Sequence, residues 1–232
     1  MAQFLPRIWQ LCKMINKFLD LLFPPKCPFC HHVLKDREEG FCDPCQHRLP
    51  WCAGTAGEQK LEFLSGCVSP LFYRDHVREG VHRFKFSNCP GYAGVFGLLM
   101  FQAVQDGWKE VSFDLVTWVP LSQKGLRRRG YDQARLLAEN LAPRLALPSA
   151  PSLVKRRHTT AQSLLSGESA RRANVLDAYE LRSGVDVRGK TILLCDDVVT
   201  TGATLSECAR VLLTAGAAEV YAVTLARSSL QK

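Results

Sequence analysis

The residues best suited to do chemistry lie in one run, Thr191-Ile192-Leu193-Leu194-Cys195-Asp196-Asp197-Val198-Val199-Thr200-Thr201-Gly202-Ala203-Thr204. An apolar stretch ends in two acids, a turn of hydroxyls and glycine follows, and a helical stripe continues through Leu205, Cys208, Ala209, Leu212 and Leu213. Such a turn gathers backbone N–H groups and the hydroxyls of Thr200, Thr201 and Thr204 at a helix N-terminus, where the peptide dipoles favour an anion. Gly202 permits close approach and positive φ. Asp196 and Asp197 fall at the carboxyl end of the strand, where open α/β sheets take their ligands. Adjacent carboxylates there suit sugar hydroxyls or a phosphate-bound Mg²⁺. The plainer alternative is an acid-rich strand end with an N-capping threonine. Cys195 reads as a small buried strand residue rather than a catalytic thiol, and no Ser-His-Asp or Cys-His nucleophile is recognisable.

A second chemistry comes from cysteine spacing. Cys27-Pro28-Phe29-Cys30 and Cys42-Asp43-Pro44-Cys45 are two Cys-x-x-Cys pairs separated by eleven residues. Two such knuckles bring four thiolates to one point, as tetrahedral zinc requires, and four thiolates leave no open position for a substrate. The zinc is therefore expected to be structural, folding a segment too short to bury its own core. His31, His32, His47 and Cys52 are substitute ligands by type but read as bystanders. The other six of the ten cysteines are scattered and no secretory signal precedes them, so a reducing cytoplasm is expected.

The third feature is charge. Of 30 Lys and Arg, 14 fall between residues 121 and 190, against only 6 of the 22 acids, and that stretch carries the whole net charge of +8. Lys124, Arg127, Arg128 and Arg129 come first, then Lys155-Arg156-Arg157, then Arg171-Arg172. A local basic excess suits a phosphate or nucleic-acid partner, although a solvated basic face gives the same count. Arg83-Phe84-Lys85-Phe86, with Tyr73 upstream, interleaves cations and aromatics as single-strand binders do, while aromatics at that spacing are more often core.

These residues need a scaffold. At 232 residues, 47% hydrophobic and 22% charged, the chain has globular composition, which excludes a largely disordered, collagen-like or coiled-coil protein. Residues 1–24 read as an amphipathic helix with Arg7, Lys13 and Lys17 off its apolar stripe, docking on protein or lying on an anionic membrane surface. Its charges interrupt any run long enough to span a bilayer. Residues 25–52 form the cysteine module, 53–66 a linker, and 67–232 the main domain. There, strands are expected at Val68–Tyr73, Leu115–Val119, Thr191–Cys195 and Val220–Leu225, with helices over 76–87, 91–106, 131–146 and 203–215. That alternation predicts an α/β domain, a mostly parallel sheet flanked by helices.

The 191–204 run resembles the phosphoribosyl-pyrophosphate (PRPP) signature of type I phosphoribosyltransferases: four apolar residues, two acids and a T-T-G-x-T loop. With Arg128-Arg129-Gly130-Tyr131-Asp132-Gln133-Ala134, Thr159 to Gln162, Arg171-Arg172-Ala173-Asn174 and the four cysteines, the chain from Cys27 onward resembles the ComF family of competence and DNA-utilisation proteins. Tyr131-Asp132 stands where that family more often has Phe-Asn. The resemblance implies that Asp196 and Asp197 hold the ribose hydroxyls, and are catalytic if the site is active. It implies that Val198, Val199, Thr200, Thr201, Gly202, Ala203 and Thr204 hold the 5′-phosphate. It further implies that Lys124, Arg127, Arg128, Arg129, Gln133, Arg157, Gln162 and Arg171 contact pyrophosphate or nucleic acid. Zinc on Cys27, Cys30, Cys42 and Cys45, Mg²⁺ with PRPP, single-stranded DNA and a helicase-like partner at the inner membrane follow from the same resemblance. An active phosphoribosyltransferase with an unidentified acceptor is the alternative, and a PRPP-sensing regulator without DNA binding a third reading.

Overall fold

Aliphatic residues dominate Thr191–Val199 and Glu219–Arg227, and both runs are strands with fully buried middles. The computed structural model describes residues 24–35, 38, 40–156 and 176–228. Its elements in chain order are α1 (Asp43–Arg48), β1 (Gly66–Val68), β2 (Leu71–Phe72), α2 (Asp75–Phe86), α3 (Ala93–Gly107), β3 (Leu115–Trp118), α4 (Gln123–Arg129), α5 (Gln133–Leu141), β4 (Leu153–Lys155), β5 (Tyr179–Leu181), β6 (Thr191–Val199), α6 (Ala203–Thr214) and β7 (Glu219–Arg227). The expected helix over the first residues lies outside the described part. The chain divides into two units, Met1–Arg48 and Leu49–Lys232. No helix among the described residues is long and apolar enough to cross a membrane.

In the second unit β7 and β6 run parallel at the centre, β3 lies beside β6, and β1 and then β2 lie beside β7, all parallel. Apart from isolated bridges to Trp51 and Glu58, the ladder partner of β1 and β2 among the described residues is β7. Ile192, Leu194, Val220 and Ala222 pack with Leu205, Cys208, Ala209 and Leu212 of α6. The alternate residues Leu193, Cys195, Val223 and Leu225 are equally buried, and α3 and α5 pack on each other and on these strands. A parallel sheet covered on both faces explains why its strands read as continuous apolar runs rather than alternating ones. This is the expected type I phosphoribosyltransferase-like sheet with flanking helices.

Local chemistry moves several boundaries. The helix expected over 131–146 ends at Leu141 and tightens into a 3-10 turn at Ala142–Leu145. Pro143 has no N–H to continue the α ladder, and Ala146 turns left-handed. Val68–Tyr73 is two short strands because Ser69-Pro70 interrupts it. Residues 53–66, read as a linker, lie on the second unit. Gln59 N donates to Cys67 O (2.9 Å), and the Arg227 guanidinium donates to the carbonyls of Ala56 (2.9 Å) and Glu58 (2.6 Å).

In the first unit the Cys27 knuckle is a tight turn: His31 N donates to Cys27 O, Cys27 N to His32 O, and Lys26 and Val33 form an antiparallel bridge. Glu38 accepts from Lys35 N (2.8 Å) and Asp43 N (3.1 Å), binding that turn to the start of α1, and these two N–H groups hold its carboxyl below the usual range. Phe29, fully buried, meets Phe41 edge-on at 5.7 Å.

Candidate functional site

Strand β6 outlasts its neighbour. Trp118, the last residue of β3, pairs with Cys195, and Val119 N donates to Cys195 O. Asp196 and Asp197 therefore stand beyond the end of β3, with β7 alone still in register beside them. The backbone N–H of Asp197 donates to Asp196 Oδ1 at 2.8 Å, which fixes the Asp196 carboxyl at the strand end. Lys85, from the last turn of α2, places Nζ 2.6 Å from Asp197 Oδ1, and both side chains are largely buried (20% and 11% exposed). Among the described ion pairs none involves Asp196. Burial, and then the Asp197 carboxylate, push its carboxyl up to about 8, with Lys85 opposing. Cys195 is fully buried and burial raises its thiol far above the ordinary value, as expected of a strand residue rather than a nucleophile.

The turn after the acids is shaped for close approach. Gly202 has φ +79° and starts α6, whose first N–H groups have no side-chain cap from it; Ala203 N reaches Thr201 Oγ1 at 3.4 Å. Leu61, from the stretch read as a linker, packs onto Gly202 so closely that a Cβ there would lie 2.3 Å from Leu61 Cδ2. Gln59 Nε2 points at Thr200 O (3.5 Å). Gly202→Ala must fit both a left-handed backbone and a clash, and is expected to destabilise the protein by about 3 kcal/mol in denaturant titration. A change below about 0.5 kcal/mol would show that the loop relaxes freely.

The basic segment is held at the same end of the sheet by an ordered chain of caps. After Pro120, Ser122 Oγ accepts from Gly125 N (3.1 Å) and opens α4; Gly130 at φ +83° closes it. Asp132 then accepts from Leu121 N (2.9 Å) and Arg135 N (3.2 Å), so one carboxylate fastens both ends of the 121–132 excursion and caps α5. Tyr131 Oη donates to Phe84 O, joining the excursion to the end of α2. Lys124, Arg127 and Arg128 are exposed on this short helix. Among the described ion pairs none involves Lys124, Arg127, Arg128 or Arg129. Gln133, expected at a phosphate, is 2% exposed and accepts from Arg129 Nη1 at 2.6 Å; here it steers the arginine. Arg157, Gln162 and Arg171, with the Thr159 to Gln162 element, lie outside the described residues.

Two lysines at the acids were not assigned from sequence. Lys85 is the counterion of Asp197, and its only signal was the cation–aromatic alternation of 83–86. Lys155 sits over the Tyr179 ring (5.1 Å); burial lowers its pKa, while Cys208 and then Asp196 act to raise it.

The four cysteine sulfurs Cys27, Cys30, Cys42 and Cys45 lie within 4.8 Å of one another, and Cys30 and Cys42 are 3.3 Å apart. Tetrahedral zinc with bonds of about 2.3 Å needs sulfurs about 3.8 Å apart, so the donor set fits. Without a cation two of them hold to the neutral thiol: burial pushes Cys42 up to about 11 and Cys45 higher still, while at Cys27 burial is outweighed by backbone N–H groups, which lower the thiol. A divalent cation reverses this by deprotonating its ligands outright. His31, His32, His47 and Cys52 are not in the cluster.

Comparison with known proteins agrees with this arrangement. Residues 131–231 match the phosphoribosyl transferase domain model and residues 18–58 the double zinc ribbon domain model. "Competence protein F" of Haemophilus influenzae is 30% identical over 224 residues, covering 88% of this chain and 97% of its own. "DNA utilization protein YhgH" of Escherichia coli strain K12 is 32% identical over 228 residues, covering 95% and 91%. "Competence protein ComFC" of Bacillus subtilis strain 168 is 32% identical over 157 residues, covering 67% of this chain and 62% of its own.

Proposed function

Because this chain belongs to the ComF family, with a phosphoribosyl transferase domain and a structural zinc ribbon, we propose that it acts in DNA uptake or utilisation, binding a phosphosugar and single-stranded DNA at one end of its sheet. Asp196 and Asp197 accept hydrogen bonds from ribose hydroxyls of PRPP or a related sugar phosphate. The Thr200–Thr204 turn and the first amides of α6 take its 5′-phosphate. Asp196 and Asp197 would also face a Mg²⁺ bound to the pyrophosphate, which would supply positive charge against the phosphate oxygens. Lys124, Arg127, Arg128 and Arg129 grip the nucleic-acid backbone. The observation that carries the proposal is that these four cations stand on a helix without an acid of its own, take part in none of the described ion pairs, and follow β3 at the strand end where the acids lie, a local excess of positive charge that suits a polyanion. In this reading the protein works in the cytoplasm, beside a DNA-uptake helicase, with residues 1–23 touching the inner membrane surface.

Binding of a labelled single-stranded oligonucleotide across a salt series tests this. Single strands lose affinity with a log–log slope of about 0.7 per phosphate contact, so replacing Arg127, Arg128 and Arg129 by alanine should shrink the slope by about 2. An unchanged slope would move the nucleic acid elsewhere, and no binding at low salt would end the DNA reading. The second reading, an active transferase, is favoured by one observation: the acid pair and the glycine turn are both intact and stand at an open strand end. Pyrophosphate release from PRPP with a nucleobase or amine acceptor is its test.

A further inference from the structure

Phe84 and Phe86 lie two residues apart on α2, about 200° around the helix. Phe84 is fully buried against Phe96 and Tyr131. Phe86 points the other way and is 51% exposed, so it adds little to the core. A lone exposed phenyl ring is unremarkable in a folded protein. What surrounds this one is not. The guanidinium carbons of Arg129 and Arg128 lie 5.1 and 5.8 Å from its centroid, and the His82 ring lies 4.9 Å away, tilted by 49°. Arg128 and Arg129 come from α4, the helix without a described carboxylate partner. The position is fixed from both sides. Lys85, one residue before, is held by Asp197, and Tyr131 ties the α4–α5 turn to the carbonyl of Phe84.

We propose that Phe86, framed by Arg128 and Arg129, is a stacking platform for one base of a single-stranded nucleic acid, the two guanidinium groups taking the flanking phosphates; this rests on the DNA reading above and names where a base is held. Every nucleobase has a face to stack, so such a platform tolerates sequence, while cations beside it fix the strand by its backbone. A duplex hides its base faces, which restricts the platform to unpaired strands. Arginine suits the flanking position because its planar group both stacks on the ring and donates in pairs to phosphate oxygens. Lys85, the counterion of Asp197, is the neighbour of the platform residue, so strand and phosphosugar would lie side by side.

The experiment compares two labelled ligands of equal length, an oligothymidylate and its abasic counterpart, on the wild type, Phe86→Ala and Phe86→Trp. Alanine should weaken oligothymidylate binding by roughly 5- to 150-fold, the range for losing one stacked base. Tryptophan should restore it. Alanine should leave abasic binding, the salt slope and the melting temperature unchanged, since charge and core are untouched. Oligothymidylate bound equally by wild type and Phe86→Ala overturns the platform and leaves the DNA reading standing. Wild type holding abasic and thymidylate strands equally also overturns it. Wild type binding neither strand at low salt overturns both.

Discussion

Asp196→Asn together with Asp197→Asn is expected to lower affinity for PRPP at least a hundredfold, measured by calorimetry at pH 8. A hydrogen bond to a charged group contributes about 1.5–3 kcal/mol, and two carboxylates lose that character together. Unchanged affinity would remove the acids from the site. Asp196→Asn alone supplies the folding control, because its sign is opposite. The folded-state carboxyl of Asp196 is raised to about 8, above an unfolded value near 4, so the folded chain binds the extra proton between those limits. Wild-type stability should therefore fall as pH rises from about 4 to about 8, and Asp196→Asn should flatten that slope. A variant that binds weakly yet melts higher than wild type at pH 8 separates a lost ligand contact from a lost fold. The same slope in both proteins would show that Asp196 is ionised throughout.

Metal removal should have the other large effect. The preparation is expected to contain about one zinc per chain, following the four-thiolate geometry. Structural zinc binds its peptides with on the order of 10 kcal/mol, comparable to the whole stability of a domain. Within Met1–Arg48 the described buried side chains are few, Cys27, Phe29, Cys42 and Cys45 among them, so among the described residues the thiolates are the main hold on the module. Chelation should abolish amide-exchange protection at Cys27, His31 and Cys45, while the central strands β6 and β7 keep theirs. A stable, metal-free protein with protected knuckles would defeat the assignment.

The features readable in the sequence were those encoded by spacing. The cysteine pairs declared a four-thiolate cluster, and the 191–204 run declared a strand, an acid pair and a glycine turn into a helix. Long apolar strands announced a buried sheet for the same reason, since burial on both faces leaves a continuous pattern. What escaped was built from polar residues acting at long range. Strand β6 continues through Asp196 and Asp197 to Val199, where apolar counting stops it at Cys195. Helix α4 is seven residues rich in Lys and Arg, without an apolar stripe to reveal it; its caps, Ser122 and Gly130, are the only local clue. The Lys85–Asp197 pair spans 112 positions, and the Leu61–Gly202 contact spans 141. No periodicity reports such partners. Residues 53–66 looked like a tether because part of their hold is on backbone carbonyls, as with Arg227 on Ala56 and Glu58, and the two leucines that pack on the core, Leu61 and Leu64, make no helix or strand period.

The pairing of β1 and β2 with β7 also sets a timetable. Among the described strands, the first of the sheet to leave the ribosome have as their ladder partner β7, the last of them, and Arg227, near the end of that strand, secures the segment before them. Closure of this sheet edge must wait until β7 has been made, with Cys67, Val68 and Leu71 uncovered meanwhile. A nascent chain stalled before Glu219 would carry the acid pair and its glycine turn on an unfinished sheet, a substrate for chaperones.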